Sequence, residues 1–381
     1  MRGLGVSATL LLALVLVLGL TACGGNPMAQ GPPAVRTPTI AAVGEVRLQQ
    51  QAPRLDALDL AVAVFDQGLV DSSENSGRVF PTVRKAESLL LPVALATYLR
   101  DSGAWNVVRV THKATLSMPL ILQGEIIQAD GAVLELHIML QSSEGKTLLD
   151  KRYRDEAGPG DYPVGPGEDP FADIYRAISN DLLRLANASN AEQRQALARL
   201  SQLRFAAQLS PETFERFFER DAAGHYSLVS YPADGDPMLR RLQRLRRQDE
   251  LFVDTVDEQY ADLAGEVAES YALWREYSFE LQLYGDAYRA SAGQRKSTAR
   301  RGSYAAMQQV YGSFRKVKVQ EEDLRELVKG FTGESLETVL AVDDGVVRLS
   351  GSVDQRYEEW RGILARIYAL EAGLDAPATS R

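Results

Sequence analysis

A single cysteine in 381 residues, at position 23, constrains this chain more than any other feature. It excludes an intramolecular disulfide. With only three histidines beside it, almost no material is left for a His/Cys metal cluster. Any fold must therefore be held by apolar burial. The composition supplies it: 45% of residues are hydrophobic and 24% charged, which excludes a polytopic membrane, collagen-like or mainly disordered chain. The length suits two or three domains. A formal net charge of −9 argues against sequence-independent nucleic-acid binding.

The setting of that cysteine is informative. Arg2 precedes an apolar run over 9–20 that is short for a bilayer span. The run ends in Leu20-Thr21-Ala22-Cys23, an aliphatic residue and two small ones before the thiol. This resembles the lipobox of bacterial lipoproteins. The resemblance implies a signal peptide over 1–22, cleavage before Cys23 and acylation of its thiol, with palmitate among the chains. Stable anchoring takes two or more acyl chains, which a triacylated cysteine provides. The alternative is an ordinary secretory signal with a coincidental cysteine. Gly24 stands where enterobacterial lipoproteins retained at the inner membrane carry aspartate. That similarity implies an outer-membrane anchor facing the periplasm. Residues 23–54, rich in Gly, Pro, Ala and Gln without apolar period, read as a flexible tether reaching about 30 Å.

Residues 55–188 read as an α/β domain. The nearly continuous apolar run over 58–65 suits a doubly buried strand. A helix is expected over 84–101, with Pro92 awkward in its middle. A second strand follows over 105–110. Strands over 120–128 and 133–140 flank Asp130-Gly131, a hairpin signal. Another strand over 146–153, a Gly/Pro loop over 158–167 and a helix over 170–187 complete an order β-α-β-β-β-β-α. Its motifs are AVAVF, YLRDSG before WNVVRV, LILQGEI, GKTLLDKRY and PFADIYRAI. Together they resemble the small α/β domain of the TolB N-terminus, the CsgG family and the LpoB-type activators of peptidoglycan synthases. The resemblance implies a periplasmic binding or assembly module. CsgG-like pore hairpins are not evident, which speaks against a secretion pore.

Residues 189–335 read as a helical domain. Ser210-Pro211-Glu212 looks like a helix start, with Phe214, Phe217 and Phe218 on one face. Asp236-Pro237 opens another helix, with Leu239, Leu242 and Leu245 on one side. A long segment over 250–290 carries Tyr260, Trp274, Tyr277, Leu281, Tyr284 and Tyr288 at helical spacing. Two more helices are expected over 303–317 and 320–328. Residues 336–374 read as a ββα element, whose DDGVVRLSGSV stretch is similar to half of a BON module. Too small for its own core, it should pack on the bundle. The expected class is α+β: a small α/β domain with a mainly antiparallel sheet, then a helical domain ending in ββα.

Catalytic motifs are sparse. Gly145-Lys146-Thr147 resembles the end of a P-loop, but Leu140 replaces the first glycine and the triplet sits at a turn. Gly333-Glu334-Ser335-Leu336 is followed by Glu337, so it is no nucleophile elbow. His112, His137 and His225 lack companions at ligand spacing. Asp254, Asp257 and Glu258 could form a catalytic carboxylate pair if they faced a cleft, or could lie on a solvated helix face. Two basic clusters stand out. One is Arg240, Arg241, Arg244, Arg246 and Arg247; the other is Arg295, Lys296, Arg300 and Arg301, followed by Arg315, Lys316 and Lys318. Each is a solvated face or a contact for acidic surfaces such as lipid A phosphates or peptidoglycan carboxylates. The tyrosines of the long segment are an interhelical core or a sugar-stacking platform.

The expectation is thus a non-enzymatic, cofactor-free lipoprotein bound to the membrane through Cys23. It serves an envelope protein partner, a complex or a cell-wall enzyme, as an interaction or assembly module. The binding candidates are Arg240, Arg244, Arg247, Arg295, Lys296, Arg300 and Arg301. The alternatives are direct binding of peptidoglycan or lipopolysaccharide, and cell-wall hydrolysis.

Overall fold

The computed structural model describes residues 40–68, 81–114, 117–165, 167–233, 235–294, 338–342 and 345–373, with the backbone alone for 284–294, 341–342 and 345. The expectations for 1–39, including Cys23 and the residues before it, lie outside them. So do those for 303–317, 320–328 and 333–337, and for the basic residues from Arg295 to Lys318.

The class is α+β. Strand β1 (Leu60–Ala63) leads through helix α1 (Pro81–Asp101) to β2 (Val108–Thr111). A meander follows: β3 (Leu120–Ala129), β4 (Val133–Ser142) and β5 (Thr147–Glu156). The sheet order is β2-β1-β3-β4-β5, with β1 parallel to β2 and β3 and the rest antiparallel. Helix α2 (Ala172–Ala188) closes the expected order. In β4, Leu134, Leu136, Ile138 and Leu140 are buried in the same core as Leu91, Leu95 and Leu99 of α1 and Ile174, Ile178 and Leu182 of α2. The other face of the meander is a charged ladder. His137 lies opposite Glu125 and Arg152, and Glu135 is held by both Arg152 and Arg154.

Proline 92 stays inside α1 for an identifiable reason. Lacking an N–H, it orphans the carbonyl of Ser88 one turn back. The backbone N–H of Phe65, just past β1, donates to that carbonyl (3.0 Å). The lost helical bond is replaced by a tertiary one that ties α1 to the sheet.

The segment 43–51, read above as tether, is bonded to the fold. The Val43 N–H donates to the Arg154 carbonyl on β5 (2.8 Å) and Gln51 N–H to that of Ser102 (2.9 Å). Between them, Asp173 accepts from Val46 N–H (3.0 Å), and Asn180 accepts from Gln49 N–H (2.8 Å) and donates to the Arg47 carbonyl (2.9 Å). It crosses α2 as a strap.

Helix α3 (Ala191–Leu209) begins with a reciprocal cap between Asn190 and Gln193. The next stretch departs from expectation. Helix α4 (Pro211–Phe214) lasts one turn. A two-stranded hairpin then follows, β6 (Phe218–Arg220) and β7 (Tyr226–Leu228). Phe214 is fully buried, whereas Phe217 and Phe218 are only half-buried. They do not share a helical face, because Asp221 closes a turn: its carboxylate accepts from His225 N–H (2.8 Å) and its N–H donates to the His225 carbonyl (2.9 Å).

Helix α5 (Pro237–Gln294) has 58 residues and is therefore about 87 Å long. Asp236 caps it by accepting from Met238 N–H (2.8 Å). Leu239, Leu242 and Leu245 are buried as expected. Strands β8 (Thr338–Val342) and β9 (Gly345–Leu349) form the last hairpin, and helix α6 (Val353–Ala372) packs Tyr357, Trp360, Leu364 and Tyr368 into the core. One continuous apolar cluster joins Leu60 of β1, Leu136 of β4, Phe205 of α3, Leu242 of α5 and Trp360 of α6.

Candidate functional site

The long helix α5 is fastened to the sheet at two places, and the space between helix and sheet is where a site forms. The first fastening blocks the free edge of β2. An edge strand exposes unpaired backbone groups. Here Asp257 accepts from Val110 N–H (2.8 Å), while Arg100 donates to the Val108 carbonyl (3.0 and 3.1 Å) and to both oxygens of Asp257 (2.8 and 3.0 Å). Asp254 pairs with the buried Arg109. Two of the three carboxylates considered above for catalysis are thus committed to holding α5 on the sheet.

The second fastening lies at the β3–β4 turn. A side chain at Gly131 would put its Cβ 2.2 Å from both the Arg275 carbonyl oxygen and the Phe279 nitrogen. Glycine alone allows the helix backbone so close. Ser278 accepts from Gly131 N–H (3.3 Å), Tyr162 donates to the Gly131 carbonyl (2.7 Å), and the Tyr162 ring stacks on Phe279 at 4.9 Å.

Between these points α1 and α5 run side by side. At depth they share Val83, Ala86 and Leu90 against Val267, Tyr271 and Trp274. A buried polar cluster sits with them. Arg84 donates to Glu87 (3.1 Å) and to the carbonyls of Gln67 (3.0 Å) and Ile126 (3.2 Å), and Tyr271 donates to Glu87 (3.0 Å). Burial pushes the Glu87 carboxyl up to about 7, against the pull of Arg84 and Arg275. Arg275 donates to Asp169 (2.7 Å), and its guanidinium lies over the rings of Tyr271 (4.4 Å) and Phe171 (4.9 Å).

Toward solvent the two helices part into a groove, closed on its third side by residues 163–165 and 167–170 of the Gly/Pro loop. Its deep end has a volume of about 400 Å³ and its mouth about 960 Å³. The α5 wall is built of Ala261, Ala264, Gly265, Ala268 and Ala272, the α1 wall of Val93, Ala94 and Thr97. Tyr175, fully buried and stacked on Tyr98 (5.5 Å), lies against the deep end. Its hydroxyl is sealed from solvent beside Arg275, and burial raises its pKa so that it stays protonated.

No family model, curated protein or solved structure matches this chain.

The other sequence candidates do not converge on this groove. Arg240 and Arg247 are exposed on α5. Arg241 and Arg244 both reach Glu371 of α6 (3.1 and 2.7 Å), and Arg246 reaches Glu250 (3.2 Å). Part of that cluster thus fastens α6 to α5. His137 bridges Asp150 (2.6 Å) and Glu125 (3.5 Å) on the sheet surface, and His225 belongs to the β6–β7 turn with Asp221. Burial lowers the His112 pKa to about 4, although Asp354 is 3.4 Å away. Gly145-Lys146-Thr147 forms the β4–β5 turn, where Lys146 pairs with Glu144 (3.0 Å). Among the described residues, no group of three or more His, Cys, Asp or Glu side chains could hold a metal ion, and no helix is long and apolar enough to cross a membrane. Tyr260 and Trp274 are buried in helix contacts. The α5 side of the groove is written in four alanines and Gly265, interleaved with the aromatics of the same helix. The small-residue spacing 261, 264/265, 268, 272 was its signal.

Proposed function

We propose that this chain is a non-enzymatic interaction module, anchored by an acylated Cys23 to the outer membrane and facing the periplasm, which docks an envelope protein partner along the α1–α5 groove. The groove is the observation that carries the docking reading. It is an open trough with an apolar floor on two rigidly fastened helices, and such concave surfaces at element junctions are where ligands and partners bind. The Leu20-Thr21-Ala22-Cys23 signature supports the anchor. Binding of peptidoglycan or lipopolysaccharide through Arg240, Arg244 and Arg247 is the weaker reading, since Arg244 is engaged by Glu371.

Two measurements test this. Mass spectrometry of the protein from membranes should find Cys23 as an acylated N-terminus; an intact, unmodified chain in the cytosolic fraction refutes the anchor. A photo-crosslinker placed at Thr97 should capture one discrete envelope protein in cells, and the same group at Glu212, far along the chain on α4, should not. Equal capture at both positions refutes docking in the groove.

A further inference from the structure

The groove has a charge as well as a shape. Its mouth is lined by Asp101, Glu168, Glu269 and Glu276, and no Lys, Arg or His lines that mouth; Arg100 and Arg275 line the deep end, where each is bonded to a carboxylate, Asp257 and Asp169. Asp169 lies there too, but it is bonded to Arg275. None of the other four carboxylates makes an ion pair among the described residues, so their charge is not cancelled by a neighbouring base. The α5 wall, the floor on which an occupant would lie, is apolar and made of small residues. From Ala261 to Ala272 it runs about 16 Å along α5, three helical turns. Small residues at spacing three and four let a second helix backbone approach closely.

We propose that the occupant of this groove is a cationic amphipathic helix of a partner protein, its small or apolar face on the alanine floor and its Lys or Arg side chains reaching the four carboxylates of the rim. This names the partner class for the docking reading above and rests on it. An elongated trough with acids along its edges matches a helix with bases along its flanks. A compact polycation would satisfy the rim but leave the alanine floor uncovered. Complementary charge of this kind sets orientation and accelerates encounter, and makes binding sensitive to salt.

The test uses the purified full chain and a fluorescent peptide of about 16 residues, long enough to cover the floor, with alanine and leucine on one face and lysine on both flanks. Anisotropy should show saturable binding that weakens about tenfold between low and moderate salt. The double variant Glu269→Lys/Glu276→Lys should weaken it by about tenfold or more. Ala268→Leu, which fills the floor without touching charge, should do likewise with an unchanged thermal melt. The double variant Glu212→Lys/Glu219→Lys, with the same change in net charge away from the groove, should have less than about a twofold effect. Four outcomes overturn the proposal: no binding, equal binding of the peptide with glutamate for lysine, indifference to Ala268→Leu, or displacement by spermine at matched charge. If the peptide fails while the Thr97 crosslink succeeds, the docking reading stands and the helix class falls. If both fail, both fall.

Discussion

Replacing Gly131 by alanine should loosen one half of α5 and leave the other in place. The new methyl would sit 2.2 Å from two backbone atoms of the helix, where ordinary contact begins at 3.4 Å. Neither atom can swing away as a side-chain tip could, so the helix must retreat by roughly 1 Å, and close-packed interiors do not absorb such a shift locally. Overpacking of this kind costs about 1–3 kcal/mol. Retreat also breaks the Ser278–Gly131 hydrogen bond and pulls Phe279 off Tyr162, each about 1 kcal/mol. The total is about 4 kcal/mol, a large part of a stability of order 5–15 kcal/mol. Urea unfolding reads the total from the midpoint at constant slope. Hydrogen exchange then locates it: amides over 267–283 should exchange faster, while those over 239–257, held by β2 and α6, should not. A loss below about 1 kcal/mol, or protection lost evenly along α5, would refute the reasoning. Ser278→Ala, which removes only the hydroxyl, should cost about 1 kcal/mol.

Three further outcomes follow from particular contacts. Asp257→Ala strands the Val110 N–H and should cost about 2–3 kcal/mol. Asp257→Asn keeps an acceptor there and should cost about half as much, with Val110 exchange rising only in the alanine variant; equal effects would dismiss the edge-blocking role. His112 is held neutral by burial, its folded pKa about 4 against 6.5 in the unfolded chain. The unfolded chain therefore takes up a proton first as pH falls from about 6.5 toward 4. Wild type should lose about 2 kcal/mol relative to His112→Phe between pH 7 and 5, and parallel profiles for the two proteins would contradict this. Pro92→Ala should gain less than about 1 kcal/mol, because Phe65 already satisfies the carbonyl that a mid-helix proline orphans at a usual cost of about 3 kcal/mol; a gain of that full size in urea melts would show the Phe65 bond to be worthless.

Much of the sheet was legible because its signals are local. Alternation in 134–140 and the apolar run over 58–65 declare which sides are buried, and these elements follow in the order read. Helix α5 was visible from Asp236-Pro237 and its leucine row. What escaped was every role assigned by a distant partner. Gly131 reads as a turn residue, yet its tightest constraint comes from Arg275 and Phe279, on another element. Asp254 and Asp257 read as part of a solvated face or as partners of Glu258 in a catalytic pair, and only the β2 edge explains them. The β6–β7 hairpin hid in a phenylalanine-rich stretch that mimics helical spacing, although Asp221 and Gly224 mark its turn. The groove is a gap between two helices whose facing residues, such as Thr97 and Ala268, lie far apart in the chain, and no window of sequence contains both its walls.

The strap over 43–51 has a mechanical consequence. If the N-terminal end is fixed to a bilayer and the body is pulled by whatever it holds, tension enters the fold at Val43. The backbone contacts to Arg154, Asp173, Asn180 and Ser102 then lie one after another along the line of force. Links loaded in series rupture singly, each resisting with about one hydrogen bond, so the strap would peel first from the edge of β5 and then from α2, lengthening the leash before the inner strands of the sheet bear any strain.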